Sequence, residues 1–122
     1  MRVLLSIKPE FVEKIISGEK RFEFRKMLPK EKVSTVVVYA TMPVGKVVGE
    51  FTVQEILSLP PEQLWHTTEN GAGISKDFFD AYFNQRKIAH AFKIDQFKKY
   101  HKAMPLKNLI PSGAAPQSFC YI

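Results

Sequence analysis

The sequence predicts an α+β fold in which five or six short strands, most of them antiparallel, close into a small β-barrel. Several short segments alternate apolar and polar residues, which is typical of half-buried strands. One helical pattern lies between the first two strands, and two more are inserted midway along the chain. The 122 residues are 45% apolar and 25% charged, which predicts one compact domain spanning residues 1–122.

The first predicted elements are a strand, a helix and a second strand. Residues 3–7 (VLLSI) are apolar and rich in strand-forming side chains. Residues 9–17 predict a helix, because a proline stands in its first turn, apolar residues recur at helical spacing and Gly18 provides a C-terminal stop. Residues 20–26 (KRFEFRK) alternate with period two and predict a half-buried strand with a charged outer face.

Two further strands and two helices are predicted in the middle of the chain. The strongest strand pattern covers residues 35–40 (TVVVYA), and a strand over residues 46–55 contains Gly49, which indicates a bulge or a close backbone approach. The helices are predicted from the two prolines at 60 and 61 to about residue 68, and over residues 76–83 with Ser75 as N-cap. Residues 70–73 are predicted to be a mobile connector between these helices.

The last third of the chain predicts two strands. Residues 87–100 alternate, with a shift near residue 97 that indicates a bulge. A loop with one helical turn is expected next, followed by a short final strand within residues 117–122.

Positive charge is concentrated in two segments. The chain has a net charge of +6; residues 14–32 hold seven bases and three acids, and residues 86–107 hold seven bases and one acid. If these segments meet in space, they form a face that attracts phosphate groups. The alternative is that the lysines are solvated on unrelated surfaces.

Several classes of protein and site are disfavoured by the sequence. No apolar run is long enough to span a membrane, and the apolar run at the N-terminus is too short for a secretory signal. Cys120 is the single cysteine, which excludes an intramolecular disulfide and favours a reducing, cytoplasmic location. The three histidines lack ligand spacing, so neither a metal site nor a cofactor is expected.

One cluster of charged residues stands out as a candidate site. On the strand over residues 20–26, Glu23 lies between Arg21 and Arg25, and Lys20 follows the stop of the first helix. A regular strand directs Lys20 away from Glu23, whereas a bulge over residues 18–20 lets both line one cleft. The alternative is a surface ladder of ion pairs.

The spacing Gly18-x-Lys20-x-x-Glu23-x-Arg25 resembles the GxKxxExR signature of the ASCH domain, a relative of the PUA domain. Co-linear similarity extends over nearly the whole chain, including residues 36–40, 47–51, 73–79 and 116–122. The resemblance implies a PUA-like β-barrel with a cleft between the barrel and the first helix, lined by the signature residues and suited to RNA or a nucleotide.

The leading functional hypothesis is RNA or nucleotide binding in this cleft. Its predicted binding residues are Lys8, Lys20, Glu23, Arg25 and Tyr39. Lys8 is included because it should stand beside the N-terminus of the first helix, where anions are favoured. Tyr39 and Trp65 are candidates for stacking a base, with core packing as the alternative for each.

Two other functional classes stay open. In ASCH proteins similar to amidohydrolases of acylated cytidine, the position of Lys20 holds a catalytic lysine and the position of Glu23 a threonine nucleophile, which is absent here. Lys20 and Glu23 are nevertheless candidate catalytic residues, on a modified nucleoside or, as a ribonuclease, on RNA. The third class is an interaction module with a transcription or translation partner.

Overall fold

Residues 1–122, all described in a computed structural model, form one mixed six-stranded sheet and three α-helices. The strand order is β2-β5-β4-β3-β1-β6, and the sheet curls into a half-barrel. The β1–β3 pair is parallel, whereas the other four neighbouring pairs are antiparallel. The predicted α+β, mostly antiparallel fold is therefore confirmed. The strands are β1 Arg2–Ile7, β2 Phe22–Arg25, β3 Thr35–Ala40, β4 Lys46–Leu59, β5 Ala89–Met104 and β6 Phe119–Tyr121.

The three predicted helices are present close to their predicted bounds, as α1 Pro9–Ser17, α2 Pro61–Thr68 and α3 Lys76–Tyr82. Helix α1 ends at Gly18, whose φ of 85° lies in the left-handed region that favours glycine. Short 3₁₀ helices span Glu69–Gly71 and Leu106–Asn108. None of the helices is both long enough and apolar enough to cross a membrane.

The parallel pair β1–β3 lies at the centre of the hydrophobic core and is buried on both faces. One cluster of buried side chains includes Val3, Leu5 and Ile7 of β1, and a second cluster includes Leu4. Strand β3 divides its residues between the same two clusters. Burial on both faces explains why residues 35–40 have an almost continuous apolar sequence.

A third cluster connects β2 to the inserted helices. Phe22 and Phe24 of β2 pack with Leu64 of α2, with Phe79 of α3 and with Phe83, the residue that follows α3. The Phe24 ring meets the Phe79 ring edge-on, with a centroid separation of 5.3 Å. The short strand β2 is thus held between β5 and the aromatic residues of α3, which fixes the positions of the charged residues that it carries.

The prediction of a mobile connector at residues 70–73 is wrong. Gly71 and Ala72 are buried, and the carbonyl of Gly71 accepts a hydrogen bond of 2.7 Å from the backbone N–H of Arg21. The glycine and asparagine content suggested a loose loop, but contacts with the segment before β2 order it.

Strands β4 and β5 form a long antiparallel pair that extends beyond both predicted ranges. Their register shifts at several points, including next to Gly49. A Cβ atom on Gly49 would lie 2.5 Å from the carbonyl oxygen of Lys98, which confirms the predicted close backbone approach.

Candidate functional site

A cavity of about 270 Å³ lies beside β2, between helices α1 and α3 and the segment that leads into β6. Lys8, Lys20, Glu23 and Arg25, four of the five residues predicted to bind a ligand, line it together. The other lining residues are Ser6, Ile7, Phe11, Phe24, Ile74, Phe78, Tyr82 and Gln117.

Lys20 is a buried cation in the wall of this cavity, with 3% of its surface exposed. It precedes β2, and its backbone N–H donates to the carbonyl of Lys14 in α1, so it is outside the regular alternation of the strand. Its Nζ donates a hydrogen bond of 2.9 Å to the carbonyl of Ala72. The irregular segment after Gly18 allows Lys20 and Glu23 to line the same cavity.

Burial opposes the protonation of Lys20, whereas some of its neighbours favour the charged form. Burial lowers the pKa of the Lys20 amine below its usual value of 10.5, and the nearby Glu23 carboxylate acts in the opposite direction. The ammonium group also lies over the rings of Phe24 and Phe11, with distances to the ring centroids of 4.9 Å and 5.4 Å. The cavity therefore contains an amine that is close to both a carboxylate and two aromatic faces.

Glu23 is buried next to Arg25, which overturns the prediction of a charged outer face on β2. The Arg25 Nη2 and Nε groups both donate to Glu23 Oε2, at 2.8 Å and 3.1 Å. Helices α1 and α3 help to enclose the cavity into which this face of β2 points. The alternating sequence correctly placed Glu23 and Arg25 on one face of β2. It did not reveal that helices α1 and α3 cover this face.

Arg25 also holds two separate parts of the chain together. Its Nη2 group donates to the carbonyl of Ser6 at 2.9 Å, and its Nη1 group donates to the carbonyl of Ser118 at 3.3 Å. Because β2 and β6 are the two edges of the sheet, the guanidinium bridges the open side of the half-barrel. It thereby fixes both the Glu23 carboxylate and the cavity wall.

The cavity has an aromatic side that the sequence analysis missed. Phe78 of α3 meets Phe11 of α1 edge-on, with ring centroids 5.5 Å apart, and its side chain is 40% exposed. Lys8 Nζ lies 5.9 Å from the centroid of the Phe78 ring. Two aromatic pairs at i,i+4 spacing lie in and just after α3: Phe79 and Phe83 are buried in the core, whereas Phe78 and Tyr82 line the cavity. The presence of a second aromatic pair was the signal in the sequence that could have indicated an aromatic wall of the cavity.

The two predicted stacking residues lie outside the cavity. Tyr39 of β3 is buried in the cluster that contains Leu4 and Leu106. Trp65 of α2 packs against Phe79, with ring centroids 5.1 Å apart. Both have the core-packing role that was the alternative in the sequence analysis.

Other groups with possible chemistry lie outside the cavity. His90 Nδ1 is 2.7 Å from the hydroxyl oxygen of Ser58, and burial lowers the pKa of this imidazole. No cluster of three or more His, Cys, Asp or Glu side chains is arranged to hold a metal ion.

Comparisons with known proteins associate this sequence and fold with one domain family. The ASCH domain model matches residues 5–103. A protein of Zymomonas mobilis subsp. mobilis named ASCH domain-containing ribonuclease is 33% identical over 122 residues, covering 98% of this chain and 82% of its own. The crystal structure of ASCH from Zymomonas mobilis superposes with a TM-score of 0.90 at 28% identity, covering 99% of this chain and 87% of that one.

Similar sequence also occurs within longer proteins. A protein of Ureaplasma parvum serovar 3 named ATP synthase subunit alpha is 33% identical over 122 residues, which cover 98% of this chain. The matched region spans only 15% of that protein, and 39% of a second Ureaplasma parvum relative named large ribosomal subunit protein uL22.

Proposed function

Because this chain belongs to the ASCH domain family, we propose that it binds single-stranded RNA and holds one nucleotide in the cavity beside β2. The observation that carries this proposal is the meeting of Lys8, Lys20, Glu23 and Arg25 in one cavity with an exposed aromatic ring at its edge. Cations attract the phosphates, and an aromatic face stacks an unpaired base.

The volume and polarity of the cavity suit a single base. At about 270 Å³ it lies just below the range for small-molecule sites, which span about 300–1,000 Å³. Glu23 Oε2 is occupied by Arg25, whereas Oε1 accepts no hydrogen bond from the protein and is not sealed from solvent. A free carboxylate oxygen at this position favours a base edge that presents N–H donors.

Fluorescence anisotropy with a short labelled single-stranded RNA tests RNA binding. We expect binding at low salt that weakens as the salt concentration rises, because phosphate contacts release counterions. A single-stranded DNA of the same sequence is the comparison that reports the contribution of the 2′-hydroxyl groups. Absence of binding at low salt, or binding that does not change with salt, contradicts the proposal.

A second candidate function is cleavage of the bound RNA. It is favoured by the similarity to the Zymomonas mobilis protein named a ribonuclease and by the presence of the Glu23 carboxylate and the buried Lys20 amine in one cavity. In such a reaction the 2′-oxygen bonds to phosphorus while the bond to the 5′-oxygen breaks. Glu23 takes the 2′-hydroxyl proton, water supplies a proton to the leaving oxygen, and Lys20 and Arg25 stabilise the added negative charge.

Incubation of a labelled RNA oligomer with the protein, followed by separation of the products, tests cleavage. We expect product with the natural chain and none with Glu23→Gln, provided that circular dichroism shows the variant to be folded. Acylated cytidine is tested in parallel, since hydrolysis of that compound alone would indicate an amidohydrolase. Absence of product at high protein concentration leaves RNA binding as the function.

A further inference from the structure

A second cleft begins one residue away from the cavity described above. Lys20 lines the first cavity, whereas the next residue, Arg21, lines a separate cleft of about 360 Å³. Because Lys20 and Arg21 are adjacent, the segment before β2 forms part of the wall of both. The second cleft is lined by Arg21, Phe22, Gln54, Thr67, Asn70, Gly71, Lys93 and Ile94.

The polar lining of this cleft consists of cations and neutral groups. Arg21 and Lys93 supply two positive charges, and no carboxylate lines the cleft. No carboxylate lies within 4.0 Å of either cation, whereas Arg25 and Lys76 are paired with acids. The nearest acid in the strand register is Glu55, the β4 partner of Lys93, which is exposed and forms no ion pair.

Two backbone hydrogen bonds hold Arg21 at this cleft, and its side chain lies against Gly71. Its N–H donates to the carbonyl of Gly71 at 2.7 Å, and its carbonyl accepts from the N–H of Ile94 at 2.9 Å. A Cβ atom on Gly71 would lie 2.7 Å from Arg21 Nε. A side chain at residue 71 would therefore force the Arg21 side chain to move from its present position in the cleft.

Neutral hydrogen-bond donors complete the cleft. The side-chain amides of Gln54 and Asn70 line it, and each can donate to an anion. The cleft is also where the two basic segments of the sequence meet, since Phe22 of β2 is paired with Lys93 of β5. A guanidinium that can form two parallel hydrogen bonds, with an ammonium beside it, is a favourable arrangement for a phosphate group.

We propose that this second cleft binds a backbone phosphate of the same nucleic-acid strand whose nucleotide occupies the first cavity. This inference rests on the proposed function. The segment shared by the two sites lets one strand pass from the base-binding cavity, lined by Lys20, to a phosphate-binding cleft, lined by Arg21. Contacts of this kind fix the register of the strand without reading its sequence.

The test compares two double variants that remove the same charge. Arg21→Gln with Lys93→Gln empties the cleft of cations, whereas Lys98→Gln with Lys99→Gln removes two exposed lysines of β5 outside it. We expect the first pair to weaken binding of single-stranded RNA by about tenfold or more, and to reduce the slope of log K against log salt by about 0.7, the contribution of one phosphate. The second pair should change both quantities much less. Equal losses in both double variants would overturn the proposal.

A second measurement separates this proposal from RNA binding as such. Inorganic phosphate is titrated into the natural chain while the NMR signals of Arg21 Nε–H and the Gly71 amide are followed. We expect both signals to shift at millimolar phosphate, and the shifts to be lost in Lys93→Gln but kept in Lys99→Gln. If RNA does not bind but these shifts are seen, the proposed function fails and the phosphate site stands. If they are absent, or equal in both variants, the phosphate site is refuted.

Discussion

Arg25 donates a hydrogen bond of 2.9 Å from Nη2 to the backbone carbonyl of Ser6. These residues belong to β2 and β1, which are not neighbours in the sheet. One guanidinium thus spans the gap between two strands and also orients the Glu23 carboxylate. The stability of the half-barrel and the geometry of the candidate site therefore depend on the same side chain.

Substitution of Arg25 should destabilise the fold strongly. Arg25→Met leaves the buried Glu23 carboxylate without its partner, and loss of one member of a buried pair costs about 3–5 kcal/mol. Chemical denaturation of Arg25→Met measures the free energy of unfolding, with Arg86→Met as an exposed arginine control. Adding Glu23→Gln to Arg25→Met should recover part of the lost free energy of unfolding. If nothing is recovered, the unpaired Glu23 carboxylate is not the cause of the destabilisation.

Substitution of Lys20 should separate binding from stability. Lys20→Met replaces a buried cation by an apolar side chain of similar length, which removes the cost of burying that charge and, against it, the hydrogen bond to the carbonyl of Ala72. We expect an unchanged or higher midpoint of thermal unfolding, together with loss of RNA binding in the anisotropy assay. A variant that unfolds more easily and still binds RNA would contradict both parts.

The same variant tests the pH dependence due to Lys20. The pKa of Lys20 in the folded chain is below 10.5, so the folded state binds fewer protons than the unfolded state near that pH. The contribution of Lys20 to stability is therefore fully present above pH 10.5 and is lost as the pH falls through the folded pKa. Denaturation curves of the natural chain and of Lys20→Met are compared across this pH range. The difference between their free energies of unfolding should change with pH, and it should not change if the Lys20 amine is solvated.

Two glycines provide a matched test of the space around Lys20. Both Gly18 and Gly73 have positive φ, at 85° and 67°, so alanine strains the backbone at either position, by about 1–2 kcal/mol. A Cβ atom at Gly73 would also lie 2.5 Å from Cβ of Lys20, whereas at Gly18 it would meet no atom within 4 Å. We expect Gly73→Ala to weaken RNA binding more than Gly18→Ala does. Equal effects would show that the position of Lys20 is not critical.

Phe78 should contribute to ligand binding more than to stability. Its ring is 40% exposed at the cavity, and stacking of a base on such a ring is worth about 1–3 kcal/mol. Phe78→Ala should weaken RNA binding accordingly, as measured by anisotropy. Ile88→Ala is the control, because Ile88 is 43% exposed and lies outside the cavity. A similar loss of affinity in both variants would argue against stacking.

A further pH-dependent group lies outside the cavity. Burial, assisted by the hydrogen bond that the Tyr100 hydroxyl donates to Glu50 at 2.8 Å, raises the pKa of Tyr100 from 10.0 to about 12. The raised pKa means that its contribution to stability is fully present below pH 10 and is lost as the pH rises through about 12. The absorbance of tyrosinate is measured against pH in the natural chain and in Tyr100→Phe. The difference between the two curves should show this titration. Glu50→Gln should shift it towards lower pH.

Most of the fold could be predicted from local patterns, because helix α1, strand β3 and helix α3 have strong periodicity and clear end signals. The order of residues 70–73 could not be predicted, since it arises from the contact between Gly71 and Arg21. For the site, the signature identified Lys20, Glu23 and Arg25, but alternation does not distinguish a strand face that points to solvent from one that lines a cavity. Phe78 could not be identified as a cavity residue, because its exposure depends on how α3 packs.

The hydrogen bond from the Ser6 hydroxyl to the carbonyl of Pro116 joins residues that are 110 positions apart. Because Gln117 lines the cavity beside Ser6, the cavity is assembled from residues that are far apart in the sequence. Such distant contacts close late, after the costly ordering of the intervening chain. A chain still emerging from the ribosome would therefore form its helices early, whereas the wall of the cavity would be completed only when the segment around Gln117 was free to dock.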